Sequence, residues 1–167
     1  VSAAVDKGLL YGKSATVIDP NGDMTRAEMA AIINRSFGCY AKADISKYKD
    51  VSKDKWYFED VAMAVQMGTY NGRSNSSMAP DAPITRQEAM TVVARALELD
   101  YDSYSKAELT QFSDAGKVSN WAMPYVRAMV GADYIHGRGK VLAPQDNITR
   151  AEFAQIFHNI IGSYITV

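Results

Sequence analysis

One phrase occurs three times in this chain, and it constrains the fold more than any other feature. It reads MTRAEMAAII at 24–33, ITRQEAMTVV at 84–93 and ITRAEFAQIF at 148–157. The threonines of the three copies stand 60 and 64 residues apart, and a proline precedes each threonine by five residues. Trp56 and Trp121 each precede a glycine by sixteen residues. A fixed period with matching internal offsets indicates a repeat architecture.

Each full copy predicts a unit of two helices. An aromatic-x-Asp turn leads to a first helix near the tryptophan, a Gly-bounded loop follows, and a second helix begins at the threonine. We therefore predict an all-α fold of three units, the first without its opening because its tryptophan would fall before residue 1. The predicted segments are unit 1 at 1–39, a connector at 40–47, unit 2 at 48–100, a connector at 101–111 and unit 3 at 112–167.

The repeated phrase also contains an arginine that a helix start does not favour. The threonine fits an N-cap, and the glutamate three residues later completes a capping box. A cation between them faces the positive end of the helix dipole, at a cost of a few tenths to about 1 kcal/mol. Either a nearby aspartate such as Asp19, Asp81 or Asp146 pairs with it, or the guanidinium and free helix N–H groups hold an external anion. Both interpretations stay open for the three arginines, which are Arg26, Arg86 and Arg150.

A second cation follows the loop glycine in every unit. The pairs are Gly12-Lys13, Gly72-Arg73 and Gly137-Arg138. A glycine can expose its backbone N–H to a closely approaching ligand, so each unit could offer two cations and exposed amides. The faces of Trp56 and Trp121 would suit sugar rings, but we favour core positions for both, since large aromatic side chains are usually buried.

The remaining composition excludes several classes of function. A formal net charge of −1 argues against nucleic acid as the main partner, and no apolar run reaches the length of a membrane span. A single cysteine, Cys39, excludes an internal disulfide and a cysteine-cluster metal site. The stretch DPNGDMTRAE fails as a calcium loop, because its sixth position is not glycine and its twelfth is not glutamate. The repeating glutamates are accounted for by capping, so we expect neither catalysis nor a cofactor.

Taken together, these motifs resemble the S-layer homology domain. WAMPYV and APQDNITRAEF in unit 3 are close to the family pattern, and the resemblance covers nearly the whole chain. It departs from the pattern at Gln87, where alanine is usual, and at Met78, where an aromatic residue is usual. The resemblance implies a pseudo-threefold spindle of units around a central helical bundle. It also implies ligand grooves between units, which would use Arg26, Arg86, Arg150, Gly12, Gly72 and Gly137, with Asp50 and Asp114 as partners.

The resemblance also implies attachment to a bacterial cell wall. Many members bind a secondary cell-wall polysaccharide that carries pyruvylated N-acetylmannosamine, and others bind modified peptidoglycan. We therefore expect a non-catalytic, extracellular anchor that forms part of a larger surface protein. Its candidate ligand-binding set also includes Lys13, Arg73, Arg138, Trp56 and Trp121. The alternative is a protein–protein contact module of a surface lattice.

Overall fold

The computed structural model describes residues 19–165, and side chains up to Ile161. This part of the chain contains five α-helices, one short 3₁₀ helix and no strand, so the all-α prediction is confirmed. The helices are α1 (Arg26–Phe37), α2 (Phe58–Gln66), α3 (Arg86–Ala96), α4 (Met123–Gly131) and α5 (Arg150–Ile165), with the 3₁₀ turn at Ala115–Lys117. Gly12 and Lys13 lie outside the described residues. No helix within the described range is both long and apolar enough to cross a bilayer.

Each repeated phrase starts a helix by the predicted capping box. In α1 the Glu28 amide donates to the Thr25 hydroxyl at 3.1 Å, and the Thr25 amide donates to the Glu28 carboxylate at 2.8 Å. Thr85 with Glu88, and Thr149 with Glu152, repeat both bonds. These bonds satisfy one of the N–H groups that every helix start leaves without an intrahelical partner.

Neighbouring units satisfy the other N–H groups at these helix starts. The first two amides of α1 donate to the carbonyl oxygens of Ala82 and Pro80 in unit 2, at 3.0 and 2.9 Å. Those of α3 donate to unit 3, at Asp146 and Pro144, and those of α5 donate to unit 1, at Gly22 and Pro20. The acceptors therefore form a closed cycle. The expectation that these amides are free to bind an external anion is wrong, because carbonyl groups already occupy them.

A second cycle of backbone bonds joins the residues just before the threonines. Met24 donates to Ile148 at 3.1 Å, Ile148 donates to Ile84 at 3.0 Å, and Ile84 donates to Met24 at 2.9 Å. All three side chains are fully buried and belong to one hydrophobic core within the described residues. The second helix of one unit packs on the first helix of the next, α1 on α2 and α3 on α4. The units thus share a core, and no described unit buries its apolar face alone.

The three motif arginines form ion pairs in the same cyclic order. Their side chains are buried, and each pairs with the capping glutamate of the next unit. The pairs are Arg26–Glu88 at 3.1 Å, Arg86–Glu152 at 2.9 Å and Arg150–Glu28 at 3.7 Å. The internal-pair interpretation is therefore correct, but the observed partners are glutamates, and neither Asp81 nor Asp146 forms an ion pair with Arg26 or Arg86. Asp81 instead accepts the Tyr57 hydroxyl, and Asp146 pairs with Arg138.

The aromatic-x-Asp turns hold a strained residue in front of the motif proline. Ala79 and Ala143 adopt the left-handed conformation, with φ of 52° and 49°, which costs a residue with a Cβ about 1–2 kcal/mol. Asp50 accepts the amides of Met78 and Ala79, and Asp114 accepts those of Leu142 and Ala143, at 2.7–2.9 Å. Burial opposes the ionisation of both carboxyl groups, but these amide bonds outweigh it and lower their pKa values. The two aspartates therefore stabilise the strained loop through these hydrogen bonds, which gives both of them a structural role.

Acidification is expected to destabilise the fold through Glu152. Burial opposes its ionisation, but bonds from Arg138 and the Thr149 amide and the charge of Arg86 outweigh burial and lower its pKa from 4.5 to about 2. Because the folded pKa is depressed, this stabilisation is complete above pH 4.5 and is lost as the pH falls toward 2. Glu152→Gln should lower the free energy of unfolding by about 2–3 kcal/mol at pH 7.

Denaturant unfolding of both proteins between pH 7 and pH 2.5 measures this difference. The gap between wild type and Glu152→Gln should close as the pH falls through this window. Glu59→Gln is the matched control, because Glu59 forms an exposed pair with Lys42. A gap that stays constant with pH would remove the assigned role of the Glu152 charge.

Replacing Asp114 by asparagine is expected to release the strained loop. An asparagine side chain can accept only one of the two amides well, and its NH₂ group would face the other donor. The free energy of unfolding should fall by about 1.5–3 kcal/mol. Denaturant unfolding checks this value, with Asp54→Asn, in an exposed contact with Ser52, as the control. If Asp114→Asn is as stable as wild type, Asp114 does not stabilise the loop, and direct ligand binding becomes the better explanation of this residue.

Candidate functional site

A cavity of about 520 Å³ opens where the three units meet, and we call it the tryptophan groove. Unit 1 contributes its floor, the loop and helix α3 of unit 2 contribute its sides, and unit 3 contributes one wall. Its lining residues are Arg26, Thr69, Tyr70, Asn71, Gly72, Arg73, Glu88, Thr91, Val92, Arg95 and Trp121. The groove therefore exists only because residues from three units converge.

The groove carries an excess of positive charge. Three arginines and one glutamate line it, which gives the lining a net charge of plus two; Arg26 and Arg73 share Glu88, and Arg95 forms no ion pair with it. Arg26 lies buried at the floor, where its guanidinium contacts Glu88 and the Met78 carbonyl and lies 5.0 Å from the centre of the Tyr70 ring. Electrostatic attraction is strengthened where water is partly excluded, so this concave surface suits an anion.

Arg73 reaches the groove from the exposed loop and is the cation predicted after Gly72. Its guanidinium donates to both carboxylate oxygens of Glu88, at 3.2 and 3.1 Å, and its side chain is 39% exposed. Burial opposes ionisation of Glu88, but the Thr85 amide and Arg73 outweigh burial and lower its pKa. The exposed part of the Arg73 guanidinium can therefore contact a ligand while the ion pair with Glu88 fixes the position of Arg73.

Arg95 is the groove cation that the sequence interpretation missed. Glu88, Thr91, Val92 and Arg95 all line the groove and follow one another at i, i+3, i+4 and i+7 on α3. This spacing places the four side chains on one helix face. The helical period, counted from the capping glutamate, could have identified Arg95.

The prediction that both tryptophans belong to the core is wrong. Trp121 is 52% exposed and Trp56 is 62% exposed. Each lies just before its helix, and the next residue in the chain, Ala122 or Tyr57, takes the buried position. Trp121 forms a wall of the groove, whereas Trp56 contacts the edge of Tyr57 with ring centroids 5.4 Å apart. Exposure leaves a tryptophan face available to a ligand.

The packing of the loops requires glycine at Gly72 and Gly137, whether or not a ligand binds. A Cβ added at Gly72 would lie 2.5 Å from the Tyr48 ring, and one added at Gly137 would lie 2.5 Å from the Phe112 ring. The Gly72 amide donates to the Tyr48 hydroxyl at 3.2 Å, so it is not the free donor that we expected. Both glycines nevertheless line cavities, because the aromatic-x-Asp turn packs behind them.

The cavity around Arg86, which is equivalent in the repeat to the tryptophan groove, differs from that groove in size and composition. It is a cavity of about 90 Å³, lined by Arg86, Gly137 and Glu152 among others. Arg138 binds Glu152 and Asp146, at 2.6 and 2.7 Å. Asn159 stands where the tryptophan groove has Arg95, and its amide donates to the Tyr134 carbonyl. This cavity has fewer cations, so the two grooves are not equivalent binding sites.

The third equivalent place would combine Arg150 and Glu28 with Gly12 and Lys13. The Arg150–Glu28 pair lies within the described residues, but Gly12 and Lys13 do not. Within the described range, no group of three His, Cys, Asp or Glu side chains is arranged to hold a metal ion.

Comparison with known proteins assigns the family. The model of the S-layer homology domain matches residues 1–30, 47–90 and 111–154. The chain is 33% identical over 165 residues to the surface-layer 125 kDa protein of Lysinibacillus sphaericus, covering 96% of this chain and 14% of that protein. It is 28% identical over 164 residues to the amylopullulanase of Thermoanaerobacterium thermosulfurigenes and, over the same length, to the exoglucanase XynX of Acetivibrio thermocellus.

The two enzymes are matched over 96% of this chain but over only 9% and 15% of their own lengths. The chain therefore spans about a seventh or less of these relatives. The S-layer protein of Bacillus thuringiensis subsp. finitimus is also similar, at 27% identity over 81% of this chain and 15% of that protein. The family match and the two surface-layer relatives confirm the expected extracellular location at the bacterial cell wall. The three matched segments and the 33% identity show that this chain belongs to the S-layer homology domain family.

Proposed function

We propose that this chain is a non-catalytic anchoring module that binds an acidic secondary cell-wall polysaccharide and so tethers a larger surface protein. The expected acidic sugar is pyruvylated N-acetylmannosamine. The observation that carries the proposal is the tryptophan groove, which combines a net charge of plus two with an exposed indole face. Membership of the family supports the anchoring role, and the groove supports the choice of ligand.

We further infer that the three units, with the boundaries predicted from the sequence, surround a pseudo-threefold axis as a spindle around a central helical bundle. The cyclic backbone bonds and the cyclic arginine–glutamate pairs support this arrangement. Three such units would present three grooves that differ in size and charge, and simultaneous binding along one polymer would add avidity.

The proposed mechanism differs from a ligand held by helix N–H groups. Arg73 and Arg95 line the open part of the groove and would bind the sugar carboxylate, while Arg26 contributes positive potential from the floor. Trp121 would pack on the face of the sugar ring, since an aromatic ring offers a large apolar contact surface. Gly72, which has no side chain, would let the sugar approach the backbone closely. Asp50 would contribute indirectly, because it accepts hydrogen bonds from the loop amides of Met78 and Ala79.

The other candidate residues are assigned to the two remaining grooves. Arg86, Arg138 and Gly137 would form the smaller groove, in which Asp114 holds the loop. Arg150, Gly12, Lys13 and Trp56 would form the third. We expect the tryptophan groove to be the strongest of those formed by described residues, because it has the larger volume and the additional cation Arg95.

Replacing Trp121 by alanine is expected to weaken binding to purified wall polysaccharide. The stacking contact should be lost while the buried core is unchanged, so affinity should fall by roughly tenfold, or about 1.4 kcal/mol. Isothermal titration with the purified polymer measures the change. Tyr40→Ala is the matched control, because Tyr40 is an exposed aromatic residue outside the groove lining. Equal affinity of wild type and Trp121→Ala would exclude the groove as the main site.

Removing the acidic group from the polymer tests the role of the arginines. Mild acid hydrolysis releases pyruvate ketals, and the treated polymer should bind more weakly because the carboxylate is gone. Arg73→Gln should weaken binding of the native polymer but have little effect on the treated one. Sedimentation with protein-free cell walls distinguishes the alternative function, since a lattice contact module would remain in the supernatant. Binding of walls that lack the polysaccharide would instead indicate modified peptidoglycan as the ligand.

A further inference from the structure

A second cavity, of about 440 Å³, adjoins the tryptophan groove, and we call it the tyrosine cavity. Asn71 and Arg95 line both cavities, so the two spaces are continuous across these side chains. The tyrosine cavity also contacts Glu98, Tyr101 and Tyr125. Tyr101 opens the predicted connector between units 2 and 3, a segment to which the proposed function assigns no role.

The tyrosine cavity has an aromatic corner of defined geometry. The rings of Tyr101 and Tyr125 meet edge to face, with centroids 5.4 Å apart and an interplanar angle of 63°. The Arg95 guanidinium lies 4.8 Å from the centre of the Tyr125 ring and donates to the Thr69 carbonyl. Tyr125 and Arg95 therefore hold each other in place. Tyr101 is 45% exposed, which leaves part of its ring free for a ligand.

The charges of the two cavities differ. The lining of the tryptophan groove has a net charge of plus two, whereas the charges of Arg95 and the exposed Glu98 balance in the tyrosine cavity. Glu98 would repel a second carboxylate. An uncharged ring with hydroxyl or N-acetyl groups fits these surroundings, because it can pack on the tyrosine ring and bind the Asn71 and Arg95 donors.

The aromatic residues also follow one direction. Trp121 lines the tryptophan groove and Tyr125, four residues later at the start of α4, lines the tyrosine cavity. Trp121 lies two residues before α4, and the two cavities that these aromatic residues line share the Asn71 and Arg95 side chains. The two aromatic side chains therefore mark a continuous path, on which adjacent sugars of one polymer can lie.

We propose that the tyrosine cavity is a second subsite, which binds the uncharged sugar next to the acidic sugar in the polysaccharide. This inference rests on the proposed function of the tryptophan groove. Arg95 stands between the two subsites and contacts both sugars. The module thus distinguishes polymers by the sugar that adjoins the acidic one, as well as by the acidic sugar itself.

The test compares ligands of different length. The probes are pyruvylated N-acetylmannosamine as a monosaccharide, and fragments of two and four sugars cut from purified wall polysaccharide that end in the acidic sugar. Wild type should bind the two-sugar fragment about tenfold more tightly than the monosaccharide. Tyr101→Ala should abolish this gain and leave monosaccharide affinity unchanged. Tyr101→Phe keeps the ring and should retain the gain, as should the control Tyr40→Ala.

A second measurement does not depend on a variant. In NMR spectra of the wild-type chain, the two-sugar fragment should shift the signals of Tyr101 and Tyr125, whereas the monosaccharide should shift those of Trp121 and leave those of Tyr101 unchanged. The second subsite is overturned if Tyr101→Ala keeps the length-dependent gain, or if neither tyrosine responds to the longer fragment. Failure of wild type to bind any of the probes would instead overturn the proposed function, and the subsite with it.

Discussion

The fold depends on three buried arginines that stand at helix N-termini and pair with glutamates of the neighbouring unit. An unpaired guanidinium in this position would be unfavourable twice, because it is removed from water and faces the positive end of a helix dipole. Each capping glutamate resolves the problem, since one carboxylate accepts its own helix's N-cap amide and the arginine of the preceding unit. Local helix initiation and association between units therefore use the same carboxylates.

This arrangement decides which groups remain for a ligand. The motif arginines and the helix amides are occupied within the chain, so new contacts must come from side chains with exposed surface. Arg73, Arg95 and Trp121 meet that condition in one groove, which three units build together. The repeated motif then provides the packing between units and a positive potential, and residues outside the motif provide the ligand contacts. Such positions can differ from unit to unit, as Arg95 and Asn159 do, while the packing between units stays the same.

The features that the sequence predicted well are local. The capping boxes, the helix starts and the helical class depend on residues within four positions of one another, and the repeated phrase states them three times. The partner of Arg26 lies 62 residues away, and no local pattern distinguishes Glu88 from Asp81. The exposure of Trp121 also cannot be predicted from the sequence, because a shift of one residue decides whether Trp121 or Ala122 faces the core. Arg95 can be predicted, since it follows Glu88 at helical spacing.

The bonds between units 1 and 3 connect residues that are far apart in the chain. Asn147 donates to Asp23 across 124 positions, and Met24 donates to Ile148. Helical proteins usually fold quickly because their contacts are local, whereas closing so long a loop requires much of the chain to be ordered first. This helical chain should therefore fold more slowly than its helix content suggests. Contacts that form late are lost early in unfolding, so strengthening the seam between units 1 and 3 should lengthen the lifetime of the folded state.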